Sequence, residues 1–338
     1  MISEPYDRAW QLVSGFRFTQ MVRAVTELRI PDLIAAGPRT ADELADSSST
    51  KAGPLRRVLR CLAAMGVFVE MDDGRFGPTP VSECFRDVPG SLRGNALMLP
   101  TESYVAFGDI MHTLKTGGPA FEHVFGMSRW EQLSQEPEKA VLFNAAMQSG
   151  TEHVRDLVAA AYDFASVRTV VDVGGGRGTL IAGVLKAHPH LHGTVFDLDA
   201  GVAEADAYLK QQGVRDRCDV AIGSFFETIP EGHDIYVLKS VIHDWSDEKA
   251  AMILATCRKA MGASSRLVLV EQIVPGKAEQ TPESRRVFMD DVQMLVMLNG
   301  LERTEDQFRA LLLGAGLVLS RSIPTGTRFH LIEAVPEG

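Results

Sequence analysis

Residues 169–189 read TVVDVGGGRGTLIAGVLKAHP: a short β-branched run, a loop with glycine at 174, 175, 176 and 178, then an apolar helical stretch. Glycines directly after a strand let the backbone turn sharply and come close to a ligand. The next strand-like run, GTVFDLD at 193–199, ends on Asp197, 21 residues past Gly176. A carboxylate placed there accepts both hydroxyls of a ribose. A Gly-rich loop after a strand is by itself a weak signal, shared with dinucleotide dehydrogenases. Here, however, the spacing GGGRG is not GxGxxG, and the Lys-Ser/Thr ending of a phosphate-binding P-loop is missing. Asp172 also lies inside the first strand, where it can meet a charged amino-acid end. An adenosyl amino acid fits this set better than a dinucleotide.

Downstream of Thr169, short β-branched runs alternate with helical stretches, the pattern of a parallel sheet flanked by helices. Strands are expected near 169–173, 193–197, 217–222, 234–239, 266–271, 317–322 and 328–333. Upstream, residues 106–165 carry helical patterns with aromatic and Met positions and read as a connecting segment. Earlier still, TADELADSSSTKAGPLRRVLRCLAAMGVFVEMDDGRFGPTP at 40–80 offers a capping box (Thr40, Glu43) and a second helix opened by Pro54 and stopped by Gly66. Residues 67–70 and 75–77 then flank an Asp73-Gly74 turn, a hairpin signal. Helix, turn, helix and hairpin make a winged-helix pattern. The expected fold is therefore α/β, with a mostly helical winged-helix domain over residues 1–105. Connecting helices and a doubly wound, Rossmann-like domain follow over 106–338.

Charge narrows the partners. With 44 acidic against 34 basic residues, the chain of 338 carries a net charge of −10, which disfavours a polyanion. Lys51, Arg56, Arg57 and Arg60 could face DNA from the second helix, but Asp42, Glu43, Asp46, Asp72 and Asp73 surround them, so a solvated face is expected and no nucleic acid. No run approaches a membrane span, and residues 1–9 lack a basic and apolar leader pattern, so no membrane and a cytoplasmic location are expected. Cys61, Cys84, Cys218 and Cys257 stand far apart, and His188, His190 and His192 have no acidic or Cys partners beside them; no metal is expected. The first helix carries Trp10, Val13, Phe16, Phe18, Met21, Val22 and Val25. That is more apolar surface than a lone surface helix tolerates, and it points to a homodimer through the N-terminal domain.

In order, VDVGGGRG, FDLD, GSFF, LKSVIHDWSDE, LVLVEQIV, MDDVQML and GLERTEDQF form a specific set. The chain resembles the class I S-adenosylmethionine-dependent small-molecule O-methyltransferases of the caffeate, hydroxyneurosporene and acetylserotonin type, in their bacterial branch, over nearly its whole length. This resemblance implies S-adenosyl-L-methionine as cofactor, with the S-adenosyl-L-homocysteine product on the same site. Asp172, Gly174, Gly175, Gly176, Asp197, Leu198, Ser224, Phe225, Phe226, Lys239, Asp244 and Trp245 would line that site. His243 would be the general base, held by Glu271 and Glu302. Met147 and Met294 would bracket a small aromatic hydroxyl-bearing acceptor, with Phe143 and Asn299 beside them. One position departs from the plant members, which have Asp where this chain has Ser224; a hydroxyl holds an adenine more weakly than a carboxylate does.

The chemistry supports the same residues independently. A phenol is a poor nucleophile while protonated, and a histidine titrating near neutrality can take its proton as the oxygen attacks a sulfonium methyl. His243 follows the fourth expected strand and Glu271 ends the fifth. These strands are neighbours in a methyltransferase sheet, so both residues reach its carboxyl edge. Two alternatives share the fold: N-methylation, and cofactor binding with hydroxylation or rearrangement instead of methyl transfer. A His243, Glu271 and Glu302 set would be unnecessary to either. A winged-helix regulator that only senses a ligand is the third, disfavoured by the acidic balance.

Overall fold

Seven of the strands form one sheet in the structure, a computed structural model that describes residues 4–338. A two-stranded ribbon precedes it, β1 (Val69–Glu70) with β2 (Phe76–Gly77). The large sheet contains β3 (Thr169–Val173), β4 (His192–Asp197), β5 (Cys218–Ile222), β6 (Ile235–Lys239), β7 (Arg266–Gln272), β8 (Leu317–Pro324) and β9 (Phe329–Pro336). Its order is β5-β4-β3-β6-β7-β9-β8; the first five are parallel, and β9 and β8 close the far side antiparallel. All seven expected strands are present, each within a few residues of its expected place.

Why β3 reads as an unbroken apolar run is visible in its burial. Val170 packs into the core on one face, with Ile181, Leu185 and Val195. Val171 and Val173 pack into the core on the other face, with Leu238, Ile253 and Leu269. A strand covered on both faces has no polar side to show. Strand order reverses between β3 and β6, so their carboxyl ends open a crevice at the switch point. Gly178, at φ 87°, leads from the loop into helix Thr179–Ala187.

The chain groups into two compact units. One runs up to Tyr104 and takes in Glu138–Gly150; the other holds Val105–Pro137 and Thr151–Gly338. Residues 138–150, read from the sequence as part of the connecting segment, thus pack with the first unit. The cause is a close helix crossing: a Cβ on Gly94 would stand 2.8 Å from the Ala146 backbone. The Ser149 hydroxyl also donates to the Ser91 carbonyl.

Within the first unit, Val25, Ile30, Leu44, Leu59, Phe68 and Phe76 form the core. The capping box is reciprocal: the Glu43 amide donates to Thr40 Oγ1 at 3.2 Å, and the Thr40 amide to Glu43 Oε2 at 2.7 Å. The second helix, Ala52–Ala64, starts two residues before Pro54, because first-turn amides need no helical acceptor. Its basic side chains are partly ion-paired, Arg56 to Asp42 at 3.3 Å and Arg60 to Glu70 at 3.1 Å. In helix Glu4–Glu27, Trp10, Val13 and Phe16 are exposed, but Val25 is buried and Met21 and Val22 pack against the core. The open apolar surface lies in the helix's first half. Among the described residues, no helix is long and apolar enough to cross a membrane.

Candidate active site

β6 ends on Lys239, and Ser240 at φ 53° then turns the chain into a three-residue helical turn, Ile242–Asp244, which carries His243. Left-handed backbone is uncommon outside glycine and marks a place where the surroundings dictate conformation. β7 lies alongside, and Glu271 near its end sends Oε1 to the backbone N–H groups of Val241 and Ile242, at 3.0 and 2.9 Å. Its other oxygen stands 3.4 Å from His243 Nδ1. Glu302 comes from the segment after helix Pro282–Leu298 and meets Nδ1 at 2.9 Å. Ionised carboxylates only accept, so Nδ1 carries the proton and, in the neutral ring, Nε2 carries the free lone pair. Asp244 Oδ1 is 3.4 Å from Nε2.

Burial disfavours a charged imidazole, but Glu271, Glu302 and Asp244 outweigh it and push the His243 pKa up to about 10. Asp244 is pushed up to about 7 by burial, against the pull of His243. Asp244, which the resemblance puts at the cofactor site, also stands against the base. The sequence reading did not single out Gln272. Its amide donates to Glu302 Oε1 at 2.9 Å and to Asp290 Oδ2 at 3.0 Å, orienting the carboxylate that holds the ring. Its place directly after Glu271 was the available signal.

On the other side of the crevice, Gly174 adopts φ 73°, and a Cβ there would come within 2.9 Å of Val241. Gly175 approaches the Asp172 carboxylate so closely that a Cβ would sit 2.8 Å from it. Asp197 Oδ2 accepts the Gly176 N–H at 2.8 Å and Oδ1 the Leu198 N–H at 2.7 Å, which ties the glycine loop to the end of β4. The Leu198 side chain itself is exposed. Asp172 is buried with Oδ2 lacking a hydrogen-bond partner, and burial pushes its pKa up to about 7. Lys239 is pushed down to about 8 by burial, against Glu271, Asp172 and Asp244. Phe225, Phe226 and Trp245 form an edge-to-face cluster with centroids 4.9 to 6.1 Å apart. The Ser224 hydroxyl is engaged locally, accepting the Phe226 N–H at 3.3 Å.

An open glycine cradle, an unsatisfied buried carboxylate and a carboxylate at the second strand's end fit an adenosyl amino acid.

Of the acceptor-side residues, Met294 lies on helix Pro282–Leu298 and Asn299 at φ 59° ends it, its N–H bonded to the Met294 carbonyl. Phe143 and Met147 lie on the segment grouped with the first unit. His188 and His190 bond backbone carbonyls of Ala159 and Phe164 at 3.0 Å, a structural role. A second histidine group, Asp109, His112 and His123, has its candidate ligand atoms within 4.8 Å of one another. Its two imidazoles stack at 3.9 Å and 7°, which aims their in-plane lone pairs side by side instead of at one point.

This doubly wound sheet, glycine cradle and carboxylate-held histidine define a class I methyltransferase. Residues 107–318 match the O-methyltransferase domain family and residues 10–87 its dimerisation domain, so the chain belongs to the O-methyltransferase family. It is 38% identical to the phenazine O-methyltransferase of Lysobacter antibioticus, across 96% of this chain and 95% of that one. To the O-demethylpuromycin-O-methyltransferase of Streptomyces alboniger it is 40% identical, across 98% and 89%. Among solved structures, an O-methyltransferase from neocarzinostatin biosynthesis superimposes with TM-score 0.81 at 33% identity, over 94% of this chain and 96% of that one. That structure is a complex with S-adenosylmethionine and 2-hydroxy-5-methyl naphthoic acid. Relatives also include an 8-amino-8-demethylriboflavin N,N-dimethyltransferase and an aclacinomycin 10-hydroxylase.

Proposed function

We propose that this enzyme methylates a hydroxyl of a small aromatic or polyketide-like secondary metabolite, with His243 as general base. It is an S-adenosyl-L-methionine-dependent O-methyltransferase. The carrying observation is His243 itself: Nδ1 held at 2.9 Å by Glu302, with the far nitrogen free of a short hydrogen bond. Relatives that act on phenazine, puromycin-type and naphthoate acceptors support an aromatic hydroxyl as the group attacked. We place the enzyme in the cytoplasm as a homodimer, which the match to the dimerisation domain supports.

S-adenosyl-L-methionine supplies a methyl group on a positively charged sulfonium. The chain's own residues do the rest. Gly174, Gly175 and Gly176 would let the backbone approach the cofactor closely, Asp197 would hold its ribose and Asp172 its ammonium, and Phe225 and Phe226 would flank its adenine. Neutral His243 receives the acceptor's hydroxyl proton on Nε2 as the oxygen becomes a nucleophile. Glu302 and Glu271 stabilise the imidazolium that forms, and Gln272 keeps Glu302 in place. Proton removal and positioning are the protein's contribution.

His243→Ala tests this. Affinity for S-adenosylhomocysteine should stay near that of the wild type, while kcat on hydroxylated phenazines or naphthoates falls about 10²–10⁴-fold. Retained kcat would dismiss His243 as the base and favour N-methylation or a proximity-only mechanism.

A further inference from the structure

Arg303 is fully buried, which an arginine tolerates only when its N–H groups find acceptors. Two of those acceptors are main-chain carbonyls of the loop that carries His243. Nη1 donates to the Ile242 carbonyl at 3.0 Å and Nη2 to the Trp245 carbonyl at 2.9 Å, while Nε reaches Asp247 Oδ1 at 2.9 Å. The Leu301 N–H donates to the His243 carbonyl at 2.9 Å. Gly300 is pressed against the same place, since a Cβ there would stand 2.1 Å from the His243 carbonyl oxygen. Residues 300–303 therefore lie along the loop from Ile242 to Asp247, and Glu302 on this segment holds Nδ1.

The loop needs such external ties. Its own turn is three residues long, with long internal bonds of 3.2 Å (Asp244 N–H to Val241) and 3.3 Å (Trp245 N–H to Ile242), and it follows a left-handed Ser240. Isolated turns of this kind are weak.

We propose that Arg303 is a positioning residue for methyl transfer: it clasps the backbone on both sides of His243 to the segment bearing Glu302, and so sets the direction of Nε2. This rests on His243 being the base. A planar guanidinium reaches two carbonyls and a carboxylate at fixed angles, whereas a lysine ammonium has no such fork.

The test is a double-mutant cycle on the full-length enzyme: Arg303→Lys and Gly300→Ala, each alone and combined with His243→Ala. Arg303→Lys should keep S-adenosylhomocysteine affinity within about 3-fold and lower kcat about 10–100-fold with a smaller change in KM, the scale of a catalytic group displaced by about 1 Å. In the His243→Ala background the same substitution should change the residual kcat less than about 2-fold, because its effect travels through the imidazole. Gly300→Ala, on the same segment, presses on the His243 carbonyl and should show the same pattern; if Arg303→Lys folds poorly, Asp247→Asn, which removes the exposed carboxylate held by Nε, takes its place in the cycle with a smaller loss of the same kind. Losses that multiply in the double variants, or wild-type kcat in Arg303→Lys, would overturn the positioning role while leaving the base intact. Wild-type kcat in His243→Ala alone would overturn both.

Discussion

A buried carboxylate with one oxygen unpartnered, as at Asp172, is costly to keep ionised. Burial and the charge of Asp197 raise its pKa to about 7, against the Ile181 N–H and Lys239. Because the folded value lies above the ordinary one, the proton-linked stability is present below pH 3.8 and is lost as pH rises toward about 7. Asp172→Asn cannot ionise, so the cofactor-free protein should gain about 1–3 kcal/mol at pH 8 and show a higher Tm there. Below pH 3.8, where the carboxyl is protonated in the folded and unfolded chain alike, the two proteins should melt together, and cofactor affinity should fall in the variant. A lower Tm at both pH values would show that ionised Asp172 is satisfied by the fold. His243 has the same sign: its pKa is raised from 6.5 to about 10, so activity, which needs the neutral ring, should climb with pH on the alkaline side of 6.5. Asp244→Asn removes one of the charges that hold the imidazolium. It should move that acid limb to lower pH in kcat/KM profiles, and an unmoved limb would remove Asp244 from the base's surroundings.

Among the elements, the glycine loop shows why some features were legible and others were not. Gly174, Gly176 and Gly178 all adopt positive φ, and glycine is the residue type that such backbone selects. Gly178→Ala should cost about 1–3 kcal/mol by φ strain, and its Cβ would also stand 2.9 Å from Val195; a denaturant melt with unchanged midpoint would count against it. Most of the seven strands were readable because they bury β-branched residues in a short, bounded run, whereas β5 and β8 bury Cys218, Leu317 and Leu319 instead. His243, Glu271 and Glu302 were found through motif order. The fork of Arg303 and the amide of Gln272 were not, since nothing in residue type says whether an Arg or Gln is buried. The grouping of 138–150 was equally hidden, because it depends on a close crossing at Gly94 with residues some fifty positions away. Ser224 accepts the Phe226 N–H and keeps its hydroxyl proton to donate.

At the scale of the whole molecule, the N-terminal helix raises the question of assembly. Tyr6, Trp10, Leu12, Val13 and Phe16 are 60%, 54%, 69%, 72% and 49% exposed, and they spread over a broad face of the helix. Burying the open half of five such side chains is worth roughly 1 kcal/mol each, so about 10 kcal/mol for two copies. Association itself costs an estimated ~4–15 kcal/mol. The helix end alone would thus give at best a weak pair, and a stable dimer must also cover other exposed apolar residues of the first unit, such as Met65, Val69 and Met71. Light scattering of the wild type at micromolar concentration should report twice the 36.9 kDa of one chain. Trp10→Glu with Val13→Glu should shift it toward monomer, through two charges that would have to be desolvated, with the far-ultraviolet helix signal retained. If the wild type runs as a 36.9 kDa monomer, the exposed stripe has another occupant. If the double variant stays dimeric, the interface lies on Met65, Val69 and Met71 without the helix end.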